Sequence, residues 1–259
     1  MVHRAPLSYS GKWLTAGWRI TKAQYPVSLW LGLWFGLSLM LLPMALQSLG
    51  VPMWVFQVLP GLMLAALGPG ILLTIEQISR GEKPGYGKLF AFFTDKGIVR
   101  RYWPVLSVNL LVGLLNTYIV LYYPTGALLY ICSSAVILIT VILTYTTLQI
   151  ILAQTAVMPA AKNSVSAILK NLVPLIFFAL WIACFAVPLV IVLSLAIFAT
   201  VRMGVTSSTN ASYVSAGVML IPMALLIMPI LLSAQYAVYT SLFEGLHPDE
   251  ILAKSGTTA

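Results

Sequence analysis

A chain of 259 residues that is 60% hydrophobic and only 8% charged is not composed like a soluble globular domain, which carries about 25% charged residues. The deficit is concentrated, because residues 23–75, 102–161, 171–201 and 203–243 contain no Asp, Glu, Lys or Arg. The formal net charge of +8 therefore sits at the flanks of apolar runs, where basic residues orient a membrane protein, and a nucleic-acid reading of the excess is set aside.

A bilayer core of about 30 Å takes roughly 20 apolar residues per helix. The runs here are continuous rather than alternating, so helices are expected and a membrane β-barrel is not. The fold class predicted is all-α: a polytopic membrane protein with six transmembrane helices in three hairpins, joined by amphipathic cytoplasmic interfacial segments. Residues 1–26 form the first such segment. Lys12, Thr15, Arg19 and Lys22 fall on one helical face, and Trp13, Ala16, Ile20 and Ala23 on another. The membrane domain covers 27–243. Its first span is placed at 27–46, an apolar stretch longer than the roughly 7–15 residues of a signal-peptide core, so an uncleaved anchor is expected. A Gly/Pro turn at 47–52 leads to the second span, 54–78.

The polar loop that follows runs to Arg101. Within it, residues 81–87 are rich in Gly but lack the phosphate-binding pattern. Leu89, Phe92 and Phe93 oppose Lys88, Ala91 and Asp95, which gives a second amphipathic segment. Span three is placed at 104–121 and span four at 127–151. A third amphipathic segment at 159–171 sets Lys162, Ser166 and Lys170 apart from Val165, Ile168 and Leu169. Span five is placed at 172–200, a Ser/Thr-rich loop at 202–216, span six at 218–239 and a cytoplasmic tail at 244–259. On this map thirteen of the fourteen basic residues share one side, with Arg202 alone opposite. The positive-inside rule then puts both termini in the cytoplasm.

Each odd span is entered through a similar segment, with Ile, a basic residue two positions on and Pro six positions on: Ile20, Lys22, Pro26; Ile98, Arg100, Pro104; Ile168, Lys170, Pro174. A threefold hairpin repeat accounts for this. The plainer account is that any helix entering the membrane from the basic side starts this way.

Candidate chemistry is sparse. Cys132 and Cys184 lie in apolar runs without a CxxC partner, and His3 and His247 lie near opposite ends of the chain, so no metal site, catalytic group or cofactor is predicted. An ionisable residue inside a span is a functional candidate by default. Glu76 is the acidic residue near a span, and Arg80, four residues on, offers it an ordinary helical pair. Asn109, Asn116, Gln149 and Gln235, with Glu76, are the candidates for an intramembrane polar path. The plainer role of such amides is to bond helices together. Lys12, Arg19, Lys22, Arg100, Arg101 and Lys170 are the candidates for binding anionic lipid or an acidic partner at the cytoplasmic face.

Four stretches carry a resemblance: 69–73 leading into 79–84 and 89–93; 157–161 with 164–171; 229–234; and 236–243. Together they resemble a group of bacterial six-span inner-membrane proteins and, more remotely, the membrane domain attached to some glycerophosphodiester phosphodiesterases. The resemblance implies a fold and an inner-membrane address. It implies no catalytic residues, and the phosphodiesterase activity does not come with it. The expected function is a non-enzymatic scaffold or accessory subunit. Its expected partners are anionic headgroups and a membrane-protein partner or second copy, and nucleic acid is not among them. The alternative is a small-solute or lipid transporter using the polar face of spans three, four and six. An interfacial lipid enzyme centred on Glu76 ranks third.

Overall fold

Continuous apolar sequence leaves a backbone few options other than satisfying its own polar groups, and among the described residues every regular element is helical. The structure, a computed structural model, describes residues 2–38, 42, 46, 49–122, 127–202, 225 and 227–251. The elements are α1 (Tyr9–Ala23), α2 (Tyr25–Gly36), α3 (Met53–Ser79), α4 (Lys96–Tyr122), α5 (Ala127–Ile151), α6 (Val157–Lys170), α7 (Leu172–Arg202) and α8 (Met228–Tyr239). A tight 3-10 turn, Tyr86–Phe90, and a single α-turn, Ala91–Thr94, precede α4.

Three stretches, Gly61–Ser79, Lys96–Ile119 and Leu129–Ile151, are long and apolar enough to cross a membrane. A fourth qualifies if Val157–Lys170 and Leu172–Cys184, bent by 81° against each other, are taken as one broken span. The later part of the first predicted span and the earlier part of the sixth lie outside the described residues.

One start differs from expectation for an identifiable reason. The third span was placed from residue 104, but its helix begins at Lys96. Asp95 is the cause: its carboxylate accepts from Gly97 N at 2.7 Å and Ile98 N at 3.3 Å, the side-chain N-cap that starts a helix. The middle copy of the repeat is therefore unlike the others. Gln24 interrupts the chain between α1 and α2, and Asn171 between α6 and α7. Ile98, Arg100 and Pro104 instead run inside one helix.

The core sits at one end. Trp13, Ile20, Ile75, Leu89, Leu148 and Leu242 are all at most 1% exposed, and they come from the segments that precede or close the long helices. Toward the opposite ends the helices lie open: Leu111, Tyr130, Ile137, Leu195 and Phe198 are more than half exposed. The hydroxyls on these open stretches are satisfied locally. Ser134, Thr140 and Thr144 each donate to the carbonyl four residues back at 2.8 Å, which leaves an apolar exterior suited to lipid.

Candidate functional site

The packed end is built around α1. Its apolar face does not look outward; it lies on α8. A Cβ on Gly17 would stand 2.6 Å from Ile230 O and 2.7 Å from Ala234 N, so the two backbones touch where glycine permits it. On either side of that crossing, Trp13 Nε1 donates to Ser241 Oγ at 3.1 Å and Thr21 Oγ1 to Ser233 Oγ at 3.4 Å. Phe178 of α7 closes the other side of Trp13, ring edge to ring face at 5.6 Å between centroids.

The polar face of α1 remains outside. Lys12 and Arg19 both reach Asp249, at 3.0 and 3.4 Å, while Lys22 is exposed. The Lys12 hydrogen bond holds the Asp249 carboxyl below the usual carboxylate range, helped by the charges of Lys12 and Arg19. His247 accepts from Asp249 N at 3.2 Å and lies edge-on to Tyr9 at 4.9 Å. The tail residues that look unstructured in sequence thus form a clasp over α1. No three His, Cys, Asp or Glu side chains gather into a metal set among the described residues.

A second clasp holds the extended N-terminal segment. Asn171, 1% exposed at the α6–α7 elbow, accepts from Ala5 N at 2.7 Å and donates to His3 O at 3.0 Å. His3 N in turn donates to Leu242 O at 2.8 Å. Beside it, α6 is tied to α5 by Gln149, whose amide donates to Ala160 O (3.1 Å) and Ser164 Oγ (2.9 Å) and accepts from Asn163 (3.2 Å). Gln149 therefore joins helices at the packed end rather than lining a path. Lys162 and Lys170 project outward.

A third contact seats the 86–94 segment on α3. A Cβ on Gly70 would fall 2.0 Å from Leu89 O, so the segment's backbone lies directly against that helix. Arg100 is exposed, and Arg101 Nε donates back to Gly97 O at 3.1 Å. Glu76 pairs with Arg80 at 2.5 Å. Among the described residues this end collects twelve basic and all six acidic side chains, a formal balance of +6.

Among the described residues, two of the cavities adjoin the long helices. The smaller, about 190 Å³, brings Asn109 and Asn116 together with Thr140 between α3, α4 and α5. Gln235, half-buried on α8, is not on its wall, and Asn109 Nδ2 donates to Val105 O at 3.2 Å. Of the five path candidates the structure thus joins two. The larger, about 500 Å³, is an apolar groove walled by Met63 and Ala66 of α3, Phe92 and Phe93, and Trp103 and Leu110 of α4.

No family model, curated protein or solved structure matches this chain. The residues that organise the site but escaped the sequence reading are Asn171, Asp249 and Gly70. Of these only Gly70, directly after Pro69 in an apolar run, carries a local signal of close backbone approach.

Proposed function

We propose that the protein is a non-enzymatic integral membrane scaffold or accessory subunit that rests its basic end on anionic lipid headgroups. In this reading it has six spans in three hairpins, with both termini on the cytoplasmic side of a bacterial inner membrane, in keeping with the family it resembles. One observation carries the reading. The apolar face of α1 is consumed by packing, while Lys22, Lys88, Lys96, Arg100, Lys162 and Lys170 point outward. This end thus presents charge beside exposed apolar side chains such as Trp18, Met158 and Leu169, the mixture that suits a headgroup layer, and a basic residue near an anionic leaflet contributes about 1 kcal/mol before salt screens it.

The test uses protein reconstituted in vesicles of phosphatidylglycerol and phosphatidylcholine, with spin-labelled versions of each lipid. The wild type is expected to select phosphatidylglycerol, and Lys22→Gln/Arg100→Gln/Lys170→Gln to lower that selectivity by up to roughly a hundredfold. Equal association of both lipids with the wild type would end this reading.

A transporter remains the second reading, favoured by the cavity that Asn109, Asn116 and Thr140 share. Glu76 and Gln149 have partners elsewhere, which leaves that path two amides long. Swelling of proteoliposomes in a small neutral solute, unchanged in Asn109→Leu/Asn116→Leu, removes it.

A further inference from the structure

The apolar groove has a charged rim on the same helix face. Lys96, Arg100, Trp103, Ser107 and Leu110 of α4 follow one another at alternating steps of four and three, which lays them along one stripe. Trp103, Ser107 and Leu110 wall the groove; Lys96 and Arg100 continue the stripe beyond it, toward the basic end. Both are exposed. Neither forms an ion pair among the described residues. The nearest carboxylate in sequence, Asp95, is engaged by the backbone N–H groups of Gly97 and Ile98. Ser107 adds no open polar group, because its hydroxyl donates to Trp103 O at 3.0 Å.

From Lys96 to Trp103 the helix rises about 10 Å, and from Trp103 to Leu110 about 10 Å more. Charge, interfacial aromatic and apolar trough thus succeed one another as headgroup, glycerol and acyl chain do in a lipid. Trp103 and Phe93, 59% and 64% exposed, stand at the mouth, where amphipathic rings settle. The trough has the volume of a small-molecule site rather than of a seat for a docked helix, which is about 10 Å across before its length is counted.

We propose that this groove is a discrete site for one anionic phospholipid, with an acyl chain against Trp103, Ser107 and Leu110 and the phosphate at Lys96 and Arg100. The inference rests on the membrane reading above but asks more of it: one retained lipid at one place, not a general preference of the basic end.

The experiment extracts the protein from equimolar phosphatidylglycerol–phosphatidylcholine vesicles and counts retained lipids by native mass spectrometry. The wild type is expected to keep one phosphatidylglycerol. Lys96→Gln/Arg100→Gln is expected to hold it about thirty-fold more weakly. Ser107→Trp, which fills the trough with every charge intact, is expected to lose the lipid while spin-label selectivity persists. Retention unchanged in Ser107→Trp overturns the groove and leaves the broader reading standing. Absence of any phosphatidylglycerol preference in the wild type overturns both. Because Ser107→Trp is a large substitution, the wild type supplies an independent arm. Acyl-brominated phosphatidylglycerol is expected to quench the Trp103 emission, taken as the difference from Trp103→Phe, more than brominated phosphatidylcholine does; equal quenching overturns the site.

Discussion

Gly70→Ala adds one methyl group in the middle of α3 and is expected to unseat a neighbouring segment. The new Cβ would lie 2.0 Å from Leu89 O, 2.4 Å from Leu89 C and 2.6 Å from Lys88 O. All three are backbone atoms, so no side-chain rotation relieves the overlap and the 86–94 segment has to move. That segment buries Leu89 to 1% and Phe92 to 8% exposure. Complete displacement forfeits about 1.5–3 kcal/mol for each, whereas a small shift costs the 1–3 kcal/mol typical of overpacking. The expected destabilisation is about 2–4 kcal/mol. Gly61→Ala in the same helix is the control. Nothing lies within 4 Å of its added Cβ, and replacing a helical glycine there is expected to gain up to about 1 kcal/mol. Unfolding of both variants in mixed micelles, with tryptic cleavage after Lys88 as the local readout, separates the two. Equal stability and equal cleavage of Gly70→Ala and Gly61→Ala would refute the reasoning.

Gly17→Leu forces α1 away from Ile230 and Ala234, and a loss of about 3 kcal/mol or more is expected. A red shift of the Trp13 emission, isolated by comparison with Trp13→Phe, reports it. Asn171→Ala removes both bonds to the N-terminal segment, about 1 kcal/mol each, so the amide of Ala5 is expected to exchange hydrogen much faster while α4 and α5 keep their protection. For Asp249 the sign follows from its lowered pKa. Its contribution is present above the ordinary carboxylate range and is lost as the pH falls through the lowered value. Hydrogen exchange across 247–251 should therefore report release of the tail clasp in acid for the wild type. In Asp249→Asn the same release is expected at neutral pH and without that acid step.

The long apolar runs were readable because a bilayer-length stretch without charge has few other solutions. The α5 boundaries coincide with the span read at 127–151, and α7 starts at the residue expected. The helix begun by Asp95 starts well before the boundary expected at Pro104, although Asp before Lys-Gly is a cap signal. The amphipathic face of α1 was legible, but not its cover, because a stripe of Trp13, Ala16 and Ile20 looks the same against lipid as against another helix. Asn171 was visible only as part of an elbow, since its partners Ala5 and His3 lie 166 and 168 residues away. The stretches 69–93, 157–171 and 229–243 are packing surfaces: Gly70 meets Leu89, α6 meets Gln149 of α5, and 229–243 meets α1. Sequence could mark these stretches together, but not that they meet.

The crossing of α1 on α8 has a consequence for how the protein is made. Met228 emerges about 200 residues after Ala23, an interval of roughly 10–40 seconds at ordinary rates of synthesis. Until then Trp13 and Ile20 lack the cover of α8, and Phe178, which closes the other side of Trp13, is itself made late. A basic amphipathic helix in that condition settles into a headgroup layer. The nascent chain is therefore expected to rest α1 on a headgroup layer until α8 arrives. A chain stopped before residue 228 would be left there, held by the very stripe that the completed molecule hides.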